Sequence, residues 1–125
     1  MINLSNYQMA IYEELTKLGY SVYDEGTEAA KCPYIVIGDM DVSEGQNNFN
    51  DLLDINLNIL VWSLWEGKKE VNDISSNIIN AFTDLKEKEI GNQSLYNFNL
   101  GSSSIKRLDG VYNGSLNLGF SIKEL

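Results

Sequence analysis

The sequence predicts an α+β fold: a mixed or antiparallel β-sheet with two helices packed on one face, in the order α-β-β-α-β-β. Three patterns predict it. Two segments, 6–18 and 71–85, repeat apolar residues at helical spacing. Between them Leu53, Ile55, Leu57, Ile59 and Val61 alternate with Asp54, Asn56 and Asn58, the period of a half-buried strand. Near the end Tyr112, Leu116, Leu118, Phe120 and Ile122 share one face, with Asn113, Ser115, Asn117 and Ser121 on the other. A length of 125 residues fits one domain, 1–125, around a single core.

The elements follow in order. Ser5 is placed to cap a helix from Asn6 to Leu18, with Met9, Ile11, Tyr12, Leu15 and Leu18 inward and Gly19 at its end. Ser21 to Asp24 is a short β-like piece, 25–31 a loop, and Pro33 stands at the mouth of a strand, Tyr34 to Gly38. The polar run from Asp39 to Asn50 reads as a long loop or hairpin tip. The long strand extends from Leu53 to Trp65. Its polar face turns apolar at Leu60, Trp62 and Leu64, so that part requires a cover from this chain or from a neighbouring subunit. Helix two presents Val71, Ile74, Ile78, Ala81, Phe82 and Leu85 as one stripe, and Lys86 to Glu89 mark its frayed end before Gly91. The remainder reads as strands, with Asp109-Gly110 or Asn113-Gly114 available as a tight hairpin turn.

Composition narrows the function. With 18 acidic against 9 basic side chains, a net charge of −9 repels a phosphate backbone over most of the surface. Tight nucleic-acid binding is disfavoured, although an acidic lining would let a polyanion slide past without sticking. No apolar run approaches a membrane span, and the first residues lack the basic and apolar regions of a signal peptide, so a soluble chain is expected. Cys32 is the one cysteine and there is no histidine, which removes intrachain disulfides and the usual zinc and Cys-His sites. Cys32 reads as a small, partly buried hydrophobe.

The stretch Val61 to Val71 places Gly67-Lys68 between a strand and a helix, where a phosphate-binding loop would stand. Such a loop needs a glycine five positions before its Gly-Lys and a Ser or Thr after the lysine; here those positions hold Trp62 and Lys69. Asp39, Asp41, Glu44, Asp51 and Asp54 are hard oxygen donors, but they lack the spacing of a calcium loop and read as solvated. A serine nucleophile has no histidine to activate it. No catalytic, cofactor-binding or metal-binding residue is expected, and the chain is not expected to be an enzyme.

The order V-Y-D (22–24), P-Y-I-V-I-G (33–38), I-L-V-W-S (59–63), G-K-K-E-V-N-D-I (67–74) and D-G-V-Y-N-G-S-L-N-L-G-F (109–120) resembles the tail-completion, or tail-terminator, family of long-tailed bacteriophages and prophages. That resemblance implies a homo-oligomer, a hexameric ring at the head-proximal end of the tail tube. The ring would stop tube polymerisation and join the tail to the head-tail connector, with DNA only as passing cargo and no membrane involved. It also implies a place in the virion tail or neck after assembly in the bacterial host cytoplasm. Another neck or head-completion ring protein, a tail tube subunit, and a small acidic metal-dependent enzyme are the competing readings.

A closed ring joins two different patches of the same chain. The expected interface residues are Leu64, Trp65, Lys68 and Lys69 on one side, from the apolar strand end and its basic flank. On the other side are Glu44, Gln46, Asn48 and Phe49 from the polar loop.

Overall fold

Helix α1 spans Leu4–Thr16 in the computed structural model, whose described residues are 3–24, 31–44, 51–64 and 68–125. It starts two residues earlier than the sequence predicts, because Asn3 rather than Ser5 is the cap: its side chain accepts from the Ser5 backbone N–H at 3.1 Å. The buried stripe is Tyr7, Ala10, Ile11 and Leu15, while Met9 and Tyr12 are exposed. Tyr7, Ile11 and Leu15 recur every four residues, and that row, not the one through Met9, meets the sheet. Gly19 follows with φ +92, a left-handed geometry that suits glycine after a helix.

The other elements are β1 (Ser21–Tyr23), β2 (Tyr34–Glu44), β3 (Asp51–Ser63), α2 (Lys69–Asp84), β4 (Glu87–Ile90), β5 (Gln93–Leu108) and β6 (Val111–Glu124). The order is therefore α-β-β-β-α-β-β-β, with two more strands than expected. β1 pairs with β2 in parallel and every other pair is antiparallel, giving one six-stranded sheet in the order β1-β2-β3-β6-β5-β4. Two expectations are corrected here. Lys86 to Glu89 do not fray from the helix: Glu87 to Ile90 turn back to pair with Gln93 to Tyr96. Asp39 to Glu44 are not loop, because they extend β2 alongside Leu53 to Leu57. Short polar strands form where a neighbour supplies backbone partners, a tertiary effect that outweighs local propensity.

Ile55, Leu57, Ile59 and Val61 of β3 and Leu116, Leu118, Phe120 and Ile122 of β6 are all buried, as the alternation predicts. They form one hydrophobic cluster with the α1 stripe and with Val71, Ile74, Ile78 and Phe82 of α2. Helix α2 lies across β3, β5 and β6, and α1 lies against β1 and β4. Leu85 and Ala81 are half-buried at the margin. Phe98 sits between Phe82 and Phe120, with ring centroids 5.6 Å from each. Of the two possible turns, Asp109-Gly110 is the one used: both residues have positive φ, 47 and 82, which matches the right-handed twist of a two-residue hairpin.

Bulges reset the alternation near both sheet edges. One lies between Ile37 and Met40 opposite β3, and two lie in β5, between Tyr96 and Asn99 and between Leu100 and Ser102. The first returns Met40 to the hydrophobic cluster; without it the parity of Ile35 and Ile37 would turn Met40 away.

Candidate assembly surface

The sheet face away from the helical cluster is polar over most of its area, and its side chains bond one another across the strands. Asn58 of β3 donates to Ser115 Oγ at 2.9 Å and to Asn117 Oδ1 at 3.2 Å, and Asn117 donates to Ser102 Oγ at 2.7 Å. Ser121 donates to Asp54 Oδ1 at 2.7 Å. Lys123 lies 4.5 Å from the centre of the Tyr96 ring and pairs with Glu87 at 2.7 Å. These cross-strand contacts hold the pleat in one register without covering it.

The apolar part of that face has an intramolecular answer. Trp62 stacks on Tyr34 at 6.4 Å with 21° between planes, and Tyr34 meets Tyr23 edge-on at 5.8 Å. Leu60 lies opposite Val36, which is buried. Leu64, beyond the last pair of β3, has no such neighbour and is 62% exposed.

The expected interface residues separate into two groups. Leu64, Lys68 and Lys69 lie at the end of the sheet where Ser63 pairs with Tyr112 and the β5–β6 turn follows. Lys68 is the exposed cap residue of α2, with no side-chain cap bond, and Lys69 pairs with Asp73 one turn on at 2.7 Å. Glu70 accepts from Ser63 Oγ at 2.6 Å and places a carboxylate in the first helical turn, where the helix dipole favours it. Glu44 is exposed at the opposite end, opposite Leu53. Trp65, Gln46, Asn48 and Phe49 lie outside the described residues.

Chemistry is thinly represented. Among the described residues no group of three or more His, Cys, Asp or Glu is arranged to hold a metal. Cys32 is half-buried, and burial followed by the nearby Glu70 charge pushes its thiol up, away from the nucleophilic thiolate. The most enclosed charged cluster joins α1 to β4: Lys88 pairs with Glu14 at 2.9 Å and with Glu13 at 3.5 Å. Burial pushes the Glu14 carboxyl up, but hydrogen bonds from Lys88 and Lys17 outweigh it and hold the group below its ordinary range. The Glu14 hydrogen bond holds Lys88 above its ordinary range. This cluster ties a helix to an edge strand and borders an open groove lined by Met9, Ala10, Glu89 and Ile90. Among the described residues no helix is long and apolar enough to cross a membrane.

The sequence matches the family described as "Tail completion protein gp17" over residues 10–121. None of the curated proteins matches it. Among solved structures, one titled "Virion of native gene transfer agent (GTA) particle" is similar with a TM-score of 0.70 at 15% identity, covering 90% of this chain and 91% of that one. Another, titled "Structure of bacteriophage SPP1 gp17 protein", has a TM-score of 0.54 at 23% identity, covering 95% and 91%. At these identities the structural likeness speaks for the fold.

Proposed function

We propose, since the chain belongs to the tail completion protein gp17 family, that it closes the head-proximal end of a phage tail tube as a ring and joins the tail to the head connector. The family is one of structural phage tail proteins and not of enzymes. The observation that carries the reading is the family match over nearly the whole folded region, residues 10–121, on a sheet with a long uncovered face.

In this reading subunits associate into a hexamer in the virion neck after assembly in the host cytoplasm, and DNA passes through the hole without being bound. The patch built by Asn58, Ser102, Ser115 and Asn117 supports that role: these side chains bond one another within the chain, and none of the four carries a charge to hold a phosphate. The two interface groups, expected from the sequence at the joint between neighbours, have their described members at opposite ends of the sheet, and in this reading they serve as the ring's two end surfaces instead. Leu64, Lys68 and Lys69 mark one end and Glu44 the other; Trp65, Gln46, Asn48 and Phe49, expected to act with them, lie outside the described residues. A terminator needs such unlike ends, one that docks on the last tube subunit and one that refuses a further subunit.

The test adds the purified protein to tube subunits polymerising in its absence and presence, with tube length read by electron microscopy. Substoichiometric protein bound at one tip and halting growth supports the proposal. Tubes that lengthen unchanged would overturn it, and long tubes formed by this protein alone would make it a tube subunit.

A further inference from the structure

Each edge of the sheet is closed over only part of its length. β1 pairs with β2 at Tyr34 to Val36, and β4 pairs with β5 at Gln93 to Tyr96. Among the described residues no strand pairs with β2 from Ile37 to Glu44 or with β5 from Asn99 to Leu108 on their outer sides. Long open edges present unpaired backbone donors and acceptors and invite a further strand. These two are also exposed at Val42, Leu100 and Leu108.

The edges carry opposite charge. β2 supplies Asp39, Asp41 and Glu44 with no base between Ile37 and Glu44, and β5 supplies Lys106 and Arg107 with no acid between Asn99 and Leu108. All five side chains are exposed, and among the described residues none has an ion-pair partner. Direction fits as well. Three successive antiparallel pairings, β2 with β3, β3 with β6 and β6 with β5, leave β5 antiparallel to β2. A second copy related by rotation therefore brings its β5 to β2 in the antiparallel sense.

We propose that the open edge of β2 in one copy takes the open edge of β5 in a second copy as its antiparallel neighbour, with Asp39 and Asp41 facing Lys106 on the polar side of the sheet and Arg107 adding positive charge from the other side. The joint is head to tail, so its repetition generates a ring when the rotation per copy closes, as the assembly reading requires. β1 blocks one end of β2 and β4 blocks the other end of β5, so the free lengths meet only if one sheet slides past the next. A slide of about five residues is roughly 17 Å along the strands for roughly 19 Å across four strands. That is a tilt of about 40°, within the range of closed β-barrels.

This inference rests on the assembly reading above but concerns the joint between subunits and not what the ring does. The experiment uses sedimentation of the full chain to high concentration, with circular dichroism and thermal melting to show that each variant folds. The paired change Lys106→Glu with Arg107→Glu, and separately Asp39→Lys with Asp41→Lys, is expected to weaken self-association by at least about a hundredfold, because each places like charges across the joint. An equimolar mixture of the two variants, and a chain carrying all four changes, is expected to associate as the native protein does. Native protein that stays monomeric throughout, variants that associate normally, or a mixture that fails to recover would each overturn the edge joint. Rings that form through these edges yet leave tube growth unaffected would instead overturn the capping function and leave the joint standing.

Discussion

Gly114 of β6 lies directly beneath Val71 of α2: a Cβ on the glycine would sit 2.8 Å from Val71 Cγ2 and 3.3 Å from Ser75 Oγ. The helix approaches the sheet this closely because one strand position has no side chain. Gly114→Ala is expected to destabilise the fold by about 1–3 kcal/mol through overpacking. In combination with Val71→Ala the loss should fall short of the sum of the two single losses, since the second change empties the space the first one fills. Urea unfolding of the four proteins measures this, and strict additivity would show that the two residues do not press on each other.

The Glu14–Lys88 pair gives stability a defined pH range. The folded Glu14 carboxyl is held below its ordinary range, so its contribution is present above that range and is lost as pH falls through the folded value. The folded Lys88 is held above its ordinary range, so its contribution is present at neutral pH and is lost as pH rises through the folded value. Lys88→Met should cost about 1–3 kcal/mol at pH 7, because it leaves the enclosed Glu14 with only Lys17. The gap from the native protein should narrow as pH falls below the ordinary carboxylate range and through the folded Glu14 value, where that group becomes neutral. A gap that holds constant from pH 3 to pH 9 would assign the loss to packing instead.

Tyr7 reaches across from α1 to β5, where its hydroxyl donates to Gln93 Oε1 inside the protein. Tyr7→Phe keeps the ring and strands the amide, so a loss of about 1–2 kcal/mol is expected. Tyr7→Phe combined with Gln93→Leu should recover part of it, because the unsatisfied acceptor is then gone. If the double variant is less stable than Tyr7→Phe alone, Gln93 has another role in the core.

The two ends of the sheet and its two edges should fail differently. Lys68→Glu with Lys69→Glu is expected to weaken capping of tail tubes at physiological salt while leaving self-association unchanged, since these lysines lie at a sheet end. Lys106→Glu with Arg107→Glu should abolish both. Capping and sedimentation assays run side by side separate the cases, and unchanged capping by the Lys68 and Lys69 variant would remove those residues from the docking surface.

Much of the central fold is legible in the sequence because burial there is one-sided and periodic. Leu53 to Val61 and Leu116 to Ile122 announce their faces, and Asp109-Gly110 is one of two turns the sequence offers, the structure deciding against Asn113-Gly114. What stayed hidden depends on partners distant in sequence. Glu87 to Ile90 carry no strand pattern and exist as β4 because Gln93 to Tyr96 fold back on them. Asp39 to Glu44 look like solvated loop, since the residues that make them strand belong to β3. The bulge between Ile37 and Met40 breaks the alternation that would otherwise have shown β2 to be long. The open edges were illegible for the same reason: an edge is a property of strand order, and strand order is not local. Lys106 and Arg107 carried the only local signal, a basic pair on a strand otherwise free of charge.

The three longest strands, β3, β6 and β5, of 13, 14 and 16 residues, lie side by side and are hydrogen-bonded over most of their length. Their bonds run perpendicular to the strands. A pull along the strands therefore loads a whole ladder at once in shear, whereas a pull across them unzips one bond after another. The protein is mechanically anisotropic, stiff along one direction and weak along the other.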